Sequence, residues 1–231
     1  MLSGKRAHIL FGAISIIITG IFSVNNKRVV KNALKLFIST ICIIIILIVL
    51  NITMDFSNLQ SPLVNFLNEL EYTIDGFLKG EDITSGRTIL YAHSWKLFNE
   101  NIIFGIGWRE FMKNSLGLIS SFTSGQGSHP HNIYLQLLTE TGLVGFLFFM
   151  MPVLYLYSKT YRLLRTLSMK INLHKWKNAV QFSFFSQTFF LLYGLTGNLL
   201  TDYNFLLMYF FVASISLSAI VLVKKCNEKE T

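Results

Sequence analysis

Seven side chains in this sequence have the chemistry to hold or activate a substrate: the cations Lys5, Arg6, Arg87 and Arg109, and the histidines His93, His129 and His131. A departing diphosphate needs fixed positive charge, and a planar guanidinium can hold two of its oxygens at once. An attacking hydroxyl needs a base that titrates near neutrality, for which histidine is the ordinary side chain. Together they fit the transfer of a glycosyl or phosphoryl group away from a lipid-linked diphosphate. Plainer accounts stand beside this one. Arg87, following Gly86, also reads as a surface arginine, and His131 as a group that hydrogen-bonds its own turn. His129 and His131 form a His-x-His pair with a spacing that zinc uses, but no further histidine or carboxylate is fixed beside them, so no metal is expected. No Gly-rich phosphate loop, nucleophile elbow or zinc-protease helix occurs.

The elements that must position these groups are membrane helices. The chain has 231 residues, of which 52% are hydrophobic and 14% charged, with 21 Phe and 3 Pro; such a chain has too little polar surface to cover itself in water. Apolar runs long enough for a hydrocarbon layer of roughly 30 Å, about 20 residues each, number five. They fall near residues 8–24, 35–53, 133–157, 179–198 and 204–223. The fourth carries Gln181, Gln187 and Asn198 and is expected to face other helices. Without repeats or low-complexity linkers, residues 1–231 read as one membrane domain, all-α, with an inserted loop at 54–132.

Thirteen of the 20 Lys and Arg lie between spans one and two, between spans three and four, and in the tail, whereas the loop 54–132 has five basic and eight acidic residues. By the positive-inside rule the basic segments and the C-terminus are cytoplasmic and the loop is outside. The formal charge of +8 thus reports topology rather than a nucleic-acid partner, with anionic lipid headgroups as a secondary one. Cys42 and Cys226 lie in different compartments and imply no disulfide. Val24 to Arg28 offer no small-residue cleavage site, so the first run is a span rather than a signal peptide. Lys5 and Arg6 are then outside, where they either snorkel to lipid phosphates or grip an anionic substrate; composition leaves both readings open.

The loop has its own helices. Leu63, Phe66, Leu67, Leu70, Ile74 and Phe77 recur at helical spacing over 62–78, a segment expected to lie on the membrane or on other helices. A second helix is expected over about 87–99, with Leu90, Tyr91, Trp95 and Phe98 on one face and Ser85 as its cap. The Ser- and Gly-rich stretch 115–128 reads as a lid, an acceptor-binding rim or a plain connector. The third span is expected to begin at Pro130, with His131 and Asn132 in its first exposed turn and Tyr134 and Leu135 a turn below. Glu140, nine residues on and about 13.5 Å down the axis, should lie in a helix contact, with Gln136 as its nearest partner.

Residues SGRTILYAHSWKLFNENIIFGIGWREF and the later HPHNIYLQLLTETGLVGFL resemble the signature of the O-antigen ligase and Wzy-type polysaccharide polymerase superfamily. In that family an arginine opens a helix with a downstream tryptophan, a "GiGw" phrase follows, and an "HN.yLq...e.GllG" element leads into a span. LSGKRAHILFG resembles the family's earlier Ser-x-x-Arg element at an outward helix start. The resemblance implies a GT-C-like, metal-independent glycosyltransferase without cofactor, in the bacterial cytoplasmic membrane. Its donor would be an undecaprenyl-diphosphate-linked oligosaccharide, with a flippase and a chain-length regulator as partners in the membrane. Arg6 and Arg87 match arginines that engage the donor diphosphate, and His131 matches the histidine that activates the acceptor hydroxyl. Asn132, Tyr134, Glu140 and Trp95 lie in or beside these motifs as supporting candidates. Lys5 beside Arg6 resembles the Gly-Lys-Arg form seen in capsule and exopolysaccharide polymerases, which favours a polymerase over a ligase acting on lipid A core or protein. A non-catalytic export or assembly subunit is the remaining alternative. Family members usually carry further spans ahead of the Ser-x-x-Arg element, so the sequence reads as a C-terminal portion.

Overall fold

The computed structural model describes residues 3–23, 86–118, 127–169 and 176–228. The expected span at 35–53, the segment 62–78, Ser85 and Cys42 lie outside them. Residues 1–27 with 89–231 form one compact unit and residues 28–88 another. The first is described below.

Every regular element among the described residues is helical: α1 (Ser3–Ser23), α2 (Arg87–Glu100), α3 (Glu110–Asn114), α4 (Ile133–Met169), α5 (Lys177–Tyr193) and α6 (Tyr203–Glu228). Two stretches, Ile133–Leu167 in α4 and Tyr203–Lys225 in α6, are long and apolar enough to cross a membrane, and Leu10–Ser23 of α1 is a shorter apolar one. The run expected over 179–198 stops earlier as a helix. α5 ends at Tyr193, and Asn198 lies in the following turns, where its carbonyl accepts Thr201 N–H at 3.1 Å.

Helix α5 is the hub, packing against α1, α4 and α6, while α4 also meets α1 and α6. The polar residues of α5 explain this place. Lipid tails are as apolar as leucine, so helices in a bilayer are held together by close packing and by hydrogen bonds between them. Gln187 is 1% exposed, and its Nε2 lies 3.0 Å from Ser216 Oγ, 3.1 Å from Ser183 Oγ and 3.2 Å from Thr160 Oγ1. Ser183 Oγ in turn donates to the Val212 carbonyl at 2.8 Å, and Thr160 Oγ1 to that of Leu156 at 2.8 Å. This polar belt joins α4, α5 and α6 between two apolar layers. One layer contains Leu137, Val153, Phe190, Tyr209 and Val212's neighbour Ala213; the other contains Leu164, Val180, Phe184, Ala219 and Val223.

Helix α4 is two helices end to end. Gly142 stands between them with φ 65° and ψ −169°, a conformation open in practice only to glycine. The loop between α2 and α3 closes the break. Leu143 and Val144 N–H, orphaned at the start of the lower piece, donate to the carbonyls of Ile102 and Ile103 at 2.8 and 3.2 Å. The carbonyls of Thr139 and Glu140, orphaned at the end of the upper piece, accept from Ile106 and Gly107 N–H, both at 2.9 Å. A Cβ on Gly105, itself at φ +70°, would overlap the Glu140 carbonyl and Gly142 nitrogen, and one on Gly142 would overlap the Ile103 carbonyl. Two glycines on segments distant in sequence thus let backbone meet backbone.

Candidate functional site

The upper piece of α4 begins at Ile133, three residues later than Pro130. Asn132 is its cap: Oδ1 accepts Tyr134 and Leu135 N–H at 3.0 and 3.1 Å. Its amide side chain satisfies the helix end, and Pro130 is buried in the preceding loop. His131 therefore sits ahead of the helix rather than in its first turn, and its φ of 52° places it in the left-handed region, which histidine enters more readily than most residues. Its carbonyl accepts the Tyr91 hydroxyl from α2 at 3.4 Å, and its Nε2 lies 3.5 Å from Ser128 Oγ. Ser128 is itself anchored: its N–H donates to Ser115 Oγ at 2.9 Å, and that hydroxyl lies 2.8 Å from the Ser128 carbonyl. Half-buried His131 is thus held at its carbonyl from α2, and its imidazole meets a serine tied to the end of α3, one residue ahead of the α4 cap.

The other two histidines differ. His93 Nε2 lies 3.1 Å from the Asn114 carbonyl, which only accepts, so this nitrogen carries the proton and ties α2 to α3. His129 is half-buried, and its Nδ1 has no hydrogen-bond partner. Burial, with the charge of Arg109 as a smaller cause, pushes its pKa below the ordinary histidine value. Arg109 caps α3 in a left-handed conformation of φ 65° and is exposed.

Below His131, Glu140 is 1% exposed and its Oε2 accepts Gln136 Nε2 at 3.3 Å, the partner that the four-residue spacing anticipates. The contact that buries it comes from the loop and α3, which pack on α4 at this level, as well as from helices. Tyr134 donates to the Leu191 carbonyl at 2.6 Å, and Ile133 N–H to that of Gly194 at 2.8 Å, which docks the top of α4 on the end of α5. Trp95 does not join the site. It is 52% exposed beside Phe98, and the buried face of α2 is formed by Leu90 and Ser94 instead. The Leu90, Tyr91, Trp95, Phe98 pattern misses this because a small serine, which lets α2 approach α4, carries no hydropathy signal; the Ser94 carbonyl accepts Thr139 Oγ1 at 3.1 Å.

Lys5 and Arg6 lie in the first turns of α1. The ring of His8, one turn on, is 4.0 Å from that of Tyr193 and 5.6 Å from that of Phe205. The start of α1 is therefore at the end of the bundle where Ile133 meets Gly194, the His131 end. Arg87 is the first residue of α2 and belongs to the unit 28–88. Sequence reasoning missed the weight of Ser115, Ser128 and Tyr91, none of which carries charge. Gly105 and Gly142 were the available signal for the joint between loop and helix.

The arrangement offers an imidazole beside Ser128, a second imidazole whose pKa is lowered by burial, and the start of α1, with Lys5 and Arg6, at the same end of a helical bundle. No curated protein matches the chain. The profile of a family described as O-antigen ligase matches residues 1–150 of the 231, a region that holds α1, α2, α3, the upper piece of α4 and every candidate site residue that the sequence proposes. With about two thirds of its length covered by that match, the chain belongs to the O-antigen ligase family.

Proposed function

We propose that this protein is a polysaccharide polymerase. It moves a growing glycan from undecaprenyl diphosphate to a sugar hydroxyl of another lipid-linked repeat unit, at the outer face of the bacterial cytoplasmic membrane, with the loop outside and the C-terminus inside. The acceptor oxygen bonds to the anomeric carbon as the bond from that carbon to the diphosphate breaks. His131 takes the hydroxyl proton, and undecaprenyl diphosphate leaves with its charge held by Arg87 and Arg6, helped by Lys5. The observation that carries this reading is the fixation of His131 by Tyr91, Ser128 and the Asn132 cap at the bundle end where α1 begins. A base must be held in place before its substrate arrives; here the backbone is bonded from α2 and the imidazole rests against Ser128, which supports that role.

The test is complementation of a deletion strain with the full-length protein, read as the glycan ladder. His131→Ala is expected to abolish chains longer than one repeat; normal-length polymer from that variant would overturn the assignment. Arg87→Lys keeps the charge but loses the two-pronged grip and is expected to shorten or abolish the ladder; an export or assembly subunit would tolerate it. A second reading, a ligase acting on lipid A core or protein, rests on the name of the family matched. It predicts full-length polymer that stays on the carrier, where the polymerase predicts single repeats.

A further inference from the structure

Below the break, α4 turns an apolar face outward. Leu143, Val144, Phe148, Met151 and Tyr155 on this face are between 45% and 83% exposed. The face ends at Lys159, whose ammonium lies over the Tyr155 ring, 5.3 Å from its centroid, as a cation reaching out of hydrocarbon does. From Leu143 to Lys159 the helix rises about 24 Å, short of a hydrocarbon layer of roughly 30 Å by about one turn. At the level where that turn is missing, the loop presents Ile102, Ile103 and Phe104 in succession, 49%, 60% and 75% exposed.

Irregular backbone enters hydrocarbon only when its polar groups are bonded within the protein. Here the carbonyls of Ile102 and Ile103 accept the Leu143 and Val144 N–H groups, and Gly105 N–H donates to Asn101 O at 2.9 Å. Trp108, four residues past Phe104 and 53% exposed, is of the type that collects at membrane interfaces. Polar residues, Glu100 and Asn101, precede the three apolar ones, so the apolar stretch is short and bounded.

We infer that Ile102, Ile103 and Phe104 insert into the lipid bilayer as a wedge beside α4, completing the hydrocarbon-facing surface that the helix break interrupts. The membrane boundary on the His131 side then lies at this loop. The upper piece of α4, with Gln136 and Glu140, stands in the headgroup layer, where buried carboxyl and amide groups cost less than among acyl chains. The inference is independent of the catalytic assignment, because it concerns depth alone.

The experiment uses the full chain with Cys42 and Cys226 replaced by serine, reconstituted in phosphatidylcholine and phosphatidylglycerol vesicles. A nitroxide is placed on cysteine at Ile103 or Phe104, with Phe148 as the lipid reference and Lys113, 70% exposed at its side chain, as the water reference. Labels at 103 and 104 are expected to be relaxed by oxygen far more than by a water-soluble nickel chelate, as at 148. Relaxation by nickel at the level of position 113 would overturn the inference, and so would shielding from both reagents, which would mean that protein covers the loop. Either position alone decides the matter if the other variant is not recovered.

Discussion

The surroundings of His129 alter its titration, and the direction fixes a pH dependence. In the unfolded chain its imidazole takes a proton near 6.5; in the folded chain burial and the Arg109 charge delay protonation to lower pH. The stability it contributes is therefore fully present above about pH 6.5 and is lost as pH falls below that value. The thermal unfolding midpoint of the detergent-purified protein is expected to drop on acidification through this range, and His129→Gln, which stays neutral, should flatten the drop. Glu140 gives a second expectation. Replacing it by Ala leaves the buried Gln136 amide without its acceptor, a loss of about 1–3 kcal/mol, whereas Glu140→Gln retains an acceptor oxygen and should cost less in the same unfolding measurement. Of the side chains in this region, those with charge or an imidazole could be found by reading the sequence. The Ser115–Ser128 and Tyr91–His131 contacts could not, because hydroxyl groups are too common to single out and their partners lie 13 and 40 positions away.

At the scale of elements the joint at Gly142 dominates. Gly142→Ala would place a Cβ against the Ile103 carbonyl in a backbone region that L residues avoid, so a loss of at least about 1–3 kcal/mol from the backbone alone is expected, with overlap added. The readout is the folded yield in detergent and its unfolding midpoint. By contrast Trp95→Ala, at an exposed position, should change stability by less than about 0.5 kcal/mol. The two outcomes together test whether stability in this region rests on the backbone joint or on the exposed aromatic face of α2. Helix positions were legible from the apolar runs: α1, α4, α5 and α6 overlap four of the five expected. The break was not, since the sequence TETGLVGFL remains apolar enough for a continuous span. Its cause lies in carbonyls about forty positions upstream, and hydropathy along a single segment has no means of registering them. The start of α4 was misplaced for a related reason. Pro130 satisfies the general preference for a first turn, but Asn132 offers a better cap and wins.

For the whole molecule, the polar belt decides how α4, α5 and α6 associate. Gln187→Ala removes the amide shared by Thr160, Ser183 and Ser216. Interhelical hydrogen bonds in membranes average about 0.6 kcal/mol each, so a loss of about 1–2 kcal/mol is expected, measured as a lower unfolding midpoint. Gln187, with Gln181 and Asn198, marked the run of α5 as one that faces other helices; which hydroxyls would meet Gln187 depended on the pairing of three helices and was not readable. The joint between loop and span has a further consequence for the molecule's fluctuations. The N–H groups of Ile106, Gly107, Leu143 and Val144 are each bonded across the joint, so none can be exposed by fraying of a single helix end. They share one opening event, in which loop and helix part together, and their hydrogen-exchange rates should coincide and respond in unison to Gly142→Ala. The span and the loop that bears on His131 form one cooperative unit, so a loss of order on either side of the joint is transmitted to the other.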